Sequence, residues 1–340
     1  MGPYPTRAPE GWGSSACDEA SGRHTRNRNR FPLGNLALSL QAALSRGEPL
    51  GHVLLSGPAG LGKTTLARAL ASEAGARLHP AMGPLIAEPC QLIGLLTGLE
   101  RGDFVFIDEI HRLPAPCEEC LYSALEDGVL DVVVAQGARV RAVRILLPPF
   151  TLVGVTTVPA ALQESFRARF KLEERLEFYG EAEIAAVVER AAPRLGDSVS
   201  AEACKAIARR ARGTPREALR LLERARDLAQ ASARTPEGGA EAGERATVEA
   251  RHVEEAAERL GIDSEGMRIE ERRILEVLIA RGRPMGIESI AATLRLDPLT
   301  VRLVHEPFLV GQGYVVRGFR GREATPKARL RFTRPDALAS

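Results

Sequence analysis

Short unbroken apolar runs, set between segments of helical spacing, dominate the first half of this chain. Val53-Leu54-Leu55, Phe104-Val105-Phe106-Ile107 and the run from Phe150 to Val155 show no alternation of wet and dry positions. Such runs predict strands covered on both faces, as in a parallel sheet. Leu36, Leu38, Leu40 and Leu44 predict a helix over 36–46, and Leu66-Ala67-Arg68-Ala69-Leu70 predicts another directly after the first strand. Strands and helices in turn predict an α/β layer.

Past Phe178-Tyr179 the pattern turns wholly helical, over 181–191, 200–211, 215–230 and about 247–260, with Gly261 as the next boundary. Pro236 to Glu244 reads as a low-complexity loop. From 269 onward, helical segments at 270–280, 286–294 and 298–311 precede Tyr314 to Thr325, which reads as two strands around a tight turn. Three helices followed by such a wing make a winged helix. A separate two-stranded ribbon is expected over 129–147, from Val132-Val133-Val134, a Gln136-Gly137 turn, and Val140, Val143 and Ile145. So small a ribbon has little core of its own. Its apolar residues either dock a partner or pack on the domain that bears them. Residues 1–30 mix Pro, Gly, Ser, Asn and Arg without periodicity and read as a disordered arm.

Composition narrows the function classes only a little. With 340 residues, 26% charged and 44% apolar, the chain is an ordinary globular one with room for two or three domains. A net charge of +2 gives no global nucleic-acid signature, so that case must be local. Arg317, Arg320, Arg322, Lys327, Arg329, Arg331 and Arg334 do concentrate charge at the wing, in a density suited to phosphates; a solvated basic tail is the plainer alternative. Cys17, Cys90, Cys117, Cys120 and Cys204 form no disulfide framework, which fits a reducing cytosol. Cys117 and Cys120 have zinc or redox spacing, yet no second pair accompanies them, and two packed thiols one helical turn apart read the same way. No stretch has the length and apolarity of a membrane span or a signal peptide, so a cytoplasmic protein is expected.

The chemistry is concentrated in two segments. Gly57-Pro58-Ala59-Gly60-Leu61-Gly62-Lys63-Thr64-Thr65 sits where a strand turns into a helix. Glycines there let backbone N–H groups converge on phosphates, the helix N-terminus adds its positive end, Lys63 reaches the outer phosphates, and Thr64 offers a hydroxyl to Mg²⁺. The second segment ends an apolar strand in Asp108-Glu109, setting Asp108 beside the metal and Glu109 against the attacking water. Together they point to nucleoside triphosphate hydrolysis. A further strand ends in Thr156-Thr157, bringing hydroxyls to the same sheet edge.

Two arginines stand in unusual places. Gly213-Thr214-Pro215 reads as helix stop, N-cap and first helical residue, which leaves Arg216 in a first turn. The helix dipole disfavours a cation there by ~0.3–1 kcal/mol, which makes sense if the guanidinium faces a triphosphate; an exposed arginine offset by Glu217 is the alternative. Ser165 to Phe170 places Arg167 and Arg169 on a short helix at the domain edge, where one of them can act on a neighbour's γ-phosphate.

With these residues in place, the chain resembles the RuvB family, the AAA+ ATPases that drive branch migration of Holliday junctions. The resemblance covers roughly 47–330 and rests on Gly57 to Thr65, Phe106 to Leu113, Glu118 to Asp131, Leu147 to Thr157, Arg212 to Arg216 and Arg320 to Thr325. It implies an α/β P-loop AAA+ core with a parallel sheet over 31–178, an α-helical lid over 179–260 and a C-terminal winged-helix DNA-binding domain over 261–334, assembled as a homo-hexamer around DNA and loaded by a RuvA-like junction-binding protein. By resemblance, the nucleotide set is Gly57, Pro58, Gly60, Leu61, Gly62, Lys63, Thr64, Thr65, Tyr179 and Arg216, with Arg216 as sensor 2. Thr64 and Asp108 would hold Mg²⁺, Glu109 would polarise water, Thr157 would be sensor 1, and Arg169 the finger that reaches the next subunit. Val143 and Ile145 fall where the family's hairpin meets RuvA; Arg317, Arg320 and Arg322 belong to the wing along the DNA. The chain departs from the family at Val158, at Ala59, and at Arg30 to Gly34, which offers no clear equivalent of the family's adenine-holding segments.

The reading is therefore an ATP-driven DNA motor in recombination and repair. An ATPase-impaired paralogue that only binds DNA or the ring is one alternative, and intact Lys63, Asp108, Glu109 and Arg169 argue against it. Another AAA+ machine such as a clamp loader is the second, and it shares neither the basic wing nor the hairpin.

Overall fold

A computed structural model describes residues 29–136, 139–196, 198–233 and 247–333. Of the features expected above, the arm up to residue 28, Gly137 of the ribbon turn, the loop from Pro236 to Glu244 and Arg334 lie outside the described residues. Two compact units are divided in sequence between Gly180 and Glu181.

The first unit runs α1 (Arg30–Arg46), β1 (Val53–Ser56), α2 (Lys63–Glu73), β2 (Leu78–Met82), α3 (Pro89–Thr97), β3 (Phe104–Asp108), α4 (Ala115–Glu126), β4 (Val129–Gln136), β5 (Arg139–Leu146), β6 (Thr151–Thr156), α5 (Glu164–Arg167) and β7 (Leu172–Arg175). Five strands form one parallel sheet in the order β2-β3-β6-β1-β7. The apolar runs explain its two faces, because successive side chains point to opposite sides. Leu54, Val105, Ile107 and Leu152 pack against Leu92 of α3 and Leu121 of α4. Their neighbours Val53, Leu55, Phe104, Phe106 and Val153 pack against Leu36 of α1 and Leu66 of α2. Each such side chain contributes about 1.5–3 kcal/mol on burial. β2 escapes the apolar reading because it is an edge strand, where Pro80 is tolerated.

Register decides what the sheet presents. Ser56 pairs with Thr156, and Ile107 with Gly154, so β1, β3 and β6 end within about a residue of one another along one edge. α1 begins at Arg30 rather than at 36. Asn29, buried just before it, donates its amide to Glu177 O and accepts from Glu177 N, both at 2.8 Å, which ties the helix start to the exit of β7.

β4 and β5 form the expected antiparallel ribbon, with Asp131 and Arg144 paired across it at 2.8 Å. Its two singled-out residues part company. Ile145 packs on the core of its own unit, whereas Val143 is exposed, as is Leu146. Cys117 is buried in that same core and Cys120 packs beside it on α4.

The second unit contains α6 (Glu181–Ala191), β8 (Ser198–Val199), α7 (Ala201–Arg210), α8 (Pro215–Ala233), β9 (Thr247–Val248), α9 (Ala250–Arg259), α10 (Ile269–Arg281), α11 (Ile287–Leu294), α12 (Pro298–Thr300), α13 (Glu306–Gly311), β10 (Val315–Gly318), β11 (Gly321–Ala324) and α14 (Pro326–Thr333). A π-helical turn, Val301–His305, joins α12 to α13. Ile274, Leu278, Ile290, Val301, Leu309 and Val315 form one core beneath the β10–β11 wing. α14 was not foreseen, and it corrects the reading of the basic tail. Arg331 is engaged by Asp263 at 2.6 Å, by Glu265 and by Tyr314, and Lys327 donates to Gln312 O at 2.7 Å.

Candidate active site

β1 runs straight into Gly57, whose φ is +136°, and Gly60 and Gly62 follow at +83° and +90°. These are conformations that favour glycine. At Gly57 space also decides: a Cβ there would lie 2.4 Å from Leu176 O. Lys63 opens α2, nearly buried, and its ammonium donates to Gly57 O and Pro58 O, each at 2.7 Å. α2 has no acidic residue in its first turn and no side-chain cap, so its N-terminal N–H groups and positive dipole end are left for an anion. Leu61 is buried beneath the loop and its carbonyl accepts from the Tyr179 hydroxyl at 3.3 Å. Thr64 is half-buried and Thr65 exposed.

Across the sheet edge, β3 delivers Asp108, whose Oδ1 accepts from Glu109 N at 3.0 Å. Glu109 has left-handed backbone (φ 51°, ψ 46°) although it is not glycine. Such strain persists where surroundings enforce it. Here Gly83 packs so close that a Cβ would stand 2.4 Å from the Glu109 carbonyl oxygen. Thr157 Oγ1 donates to Glu109 Oε2 at 3.3 Å, and His111 Nε2 lies 3.3 Å from the same oxygen. His111 Nδ1 in turn meets Thr156 Oγ1 at 2.9 Å, and that oxygen also accepts from Val158 N at 3.0 Å. His111 escaped the sequence reading. Its only signal was an imidazole placed just past two carboxylates at a strand exit.

Arg169 lies in the turn after α5, not on the helix, which is only four residues long. It reaches Glu126 at 2.9 Å, and its guanidinium stands 5.6 Å from the Tyr122 ring centroid. A partly exposed ion pair of this kind contributes about 0–1 kcal/mol, so the arginine is lightly held.

In the second unit, Gly213 takes φ +68° and Pro215 starts α8, as read. Thr214 holds the N-cap position directly before Pro215, its carbonyl accepting from Ala218 N at 3.2 Å, while its hydroxyl donates back to Ala211 O at 2.9 Å. Arg216 is exposed and has no ion-pair partner among the described residues; Glu217, its expected offset, is taken by Arg268 at 3.1 Å.

The three wing arginines are not equivalent. Arg322 is held by the buried Glu306 at 2.7 Å, and Arg317 reaches the same carboxylate at 2.9 Å while remaining half exposed. Arg320, in the exposed turn, forms no ion pair among the described residues. Burial alone would raise the Glu306 pKa, but hydrogen bonds from Arg322 and Arg317 hold it below the ordinary carboxylate range.

A phosphate loop between buried parallel strands, facing an acid pair one strand removed and followed by a helical region and a basic wing, defines a P-loop nucleoside triphosphatase of the AAA+ class. Family models agree along nearly all of the described chain: Holliday junction DNA helicase RuvB P-loop domain over 30–176, RuvB AAA lid domain over 179–263, and RuvB C-terminal winged helix domain over 264–332. Among curated relatives, the Holliday junction branch migration complex subunit RuvB of Prochlorococcus marinus is 44% identical over 303 residues, covering 88% of this chain and 83% of that protein. Its counterpart from Anaeromyxobacter sp. is 46% identical over 298 residues, covering 87% and 84%. The solved Thermotoga maritima RuvB Holliday junction branch migration motor superposes with a TM-score of 0.74 at 38% identity, covering 90% of this chain and 95% of that one. The chain belongs to the RuvB family. The winged-helix match also sets the clamp-loader alternative aside.

Proposed function

We propose that this chain hydrolyses ATP at sites shared between copies of itself and uses the cycle to move DNA. As a RuvB-family member it is an ATP-dependent branch migration motor for Holliday junctions. The observation that supports the residue roles best is the common sheet edge at which Lys63, Asp108, Glu109 and Thr157 emerge.

In this reading residues 31–178 are the ATPase core, 179–260 the lid and 261–334 the DNA-binding domain. The glycine loop and the open N-terminus of α2 cradle the phosphates, and Lys63 exchanges its two carbonyl acceptors for phosphate oxygens. Tyr179 and Leu61 flank the nucleotide, and Arg216, exposed and without an ion-pair partner among the described residues, is the sensor 2 arginine for the γ-phosphate. The donors near the phosphates, the Thr64 hydroxyl and the Asp108 carboxylate, are hard oxygens that suit Mg²⁺. That ion commonly takes one or two protein ligands besides phosphates and would supply charge neutralisation there. Glu109 accepts a proton from the attacking water, and Thr157 orients it. Arg169, lightly held, extends to the nucleotide of the adjoining subunit in a hexameric, cytoplasmic assembly. Arg320 and the half-exposed Arg317 meet the DNA backbone, whereas Arg322 braces the wing through Glu306. Val143, exposed farther out along the ribbon, meets a RuvA-like partner, while Ile145, on the same face two residues nearer the body, anchors the ribbon on the core.

A finger supplied from a neighbour is worth roughly 10³–10⁵ in rate. Arg169→Ala is therefore expected to abolish ATPase activity and dissociation of a synthetic four-way junction while saturable nucleotide binding persists. Hydrolysis at the wild-type rate would contradict the assignment.

A further inference from the structure

Glu109 Oε2 carries both of the carboxylate's side-chain contacts, one from Thr157 and one from His111, each at 3.3 Å. Oε1 has no hydrogen-bond partner among the described residues. The His111 contact is a close approach of Nε2 to the carboxylate, not a formed hydrogen bond; a carboxylate can only accept, so a bond between them requires the proton on Nε2. The other side of the ring is equally constrained. Thr156 is wholly buried and its oxygen already accepts from Val158 N, so its hydroxyl hydrogen is satisfied if it is donated to His111 Nδ1, 2.9 Å away. With the proton on Nε2, Nδ1 accepts the Thr156 hydroxyl and Nε2–H faces Glu109 Oε2, 3.3 Å away.

We propose that His111 is a positioning residue for hydrolysis: it links the Thr156 end of β6 to Glu109 and fixes the carboxylate by one oxygen, so that Oε1 is presented to the attacking water. The inference rests on the ATPase reading above and adds a residue to it. Backbone geometry alone does not aim the acid. Glu109 is set in a left-handed conformation against Gly83, but among the described residues its carboxylate meets the Thr157 hydroxyl and the His111 imidazole alone. His111 itself is braced by a hydroxyl that cannot move, because Thr156 lies in a fully buried strand. The same link makes the acid responsive to displacement of the β6 end, where Thr157 follows directly.

The test is steady-state ATPase kinetics of the full chain bearing His111→Ala, His111→Gln, Thr156→Val and the His111→Ala/Thr156→Val pair. Loss of such a supporting group commonly costs 10–100-fold, so kcat should fall on the order of 10-fold or more in His111→Ala with KM for ATP within about threefold. His111→Gln, which keeps a donor near Nε2, should recover part of the rate. Thr156→Val should lower kcat, and the double variant should be no worse than the more impaired single variant, because both break one link. Should His111→Ala not fold, His111→Gln and Thr156→Val decide on their own by the same kcat criterion. A kcat within twofold of wild type in these variants, or additive losses in the pair, would overturn the proposal. Glu109→Gln separates the two levels: if it is inactive while the His111 variants are unimpaired, only this inference fails, and if it hydrolyses normally, the ATPase assignment fails with it.

Discussion

His52 packs on Phe150 with ring centroids 5.3 Å apart, and its Nδ1 accepts the backbone N–H of Leu152 at 3.0 Å, so the fold uses the ring in its neutral form. Burial is the main reason its pKa falls from 6.5 to about 4. With the folded value below the unfolded one, the unfolded chain binds the proton more readily in that interval. Stability is therefore expected to drop as pH is lowered from 6.5 toward 4, and His52→Gln should flatten that part of the profile. Urea midpoints at neutral and mildly acidic pH check this; parallel profiles for the two proteins would contradict it. At this scale the phosphate loop was legible because all its determinants are contiguous, from glycine conformation to the spacing of Lys63. The Asn29 clamp was not, since its partner Glu177 is 148 residues away. The Glu109–His111–Thr156 link shows both cases: Glu109 and the Thr156-Thr157 strand end were legible, whereas His111 and the pairing stayed hidden until β3 and β6 were placed side by side.

Arg212 shows what elements add to residues. It adopts a left-handed backbone (φ 55°) just before Gly213, donates to Gly266 O at 2.6 Å, and bridges both oxygens of Glu271 at 2.8 and 2.6 Å. Its guanidinium lies 3.9 Å from the Phe308 ring centroid. One side chain thus binds the turn that precedes α8, with Arg216 in its first turn, to α10 and α13. Breaking a buried pair from one side typically costs ~3–5 kcal/mol, whereas replacing both members is far milder. Arg212→Met should destabilise the second unit by about that amount, and Arg212→Met/Glu271→Leu should recover most of it, read by urea denaturation. Equal losses in the single and double variants would contradict this. Burial alone would raise the Glu271 pKa, but His305 and Arg212 beside it hold it below the ordinary value. The stabilisation is accordingly present above the unfolded carboxylate range and lost on further acidification. The helices and the wing were legible from periodicity and turn residues. The π-helical turn, α14 and the short β8–β9 pair were not, because tertiary packing sets them more than local spacing does. The wing's charge was legible, but the internal use of Arg322 was not, since Glu306 lies on a different element.

At the scale of the whole molecule, the proposed function implies that each chain holds most of a hydrolytic site and takes one piece of it from a neighbour. Lys63, Asp108, Glu109 and Thr157 meet at one sheet edge, while Arg169 stands apart beside Glu126 and Tyr122. On that proposal a solitary subunit would not fire, and neighbours would share the defect of any one copy. Mixing Lys63→Ala protein with Arg169→Ala protein tests that directly. On the proposed roles, the first would lose its phosphate contact but keep its finger, and the second would bind nucleotide but have no finger to give. If the site is shared, the mixture hydrolyses ATP far above the sum of the two separate preparations. If the mixture shows no more than that sum, while each variant still assembles with wild-type chains, the site is not completed by a neighbour.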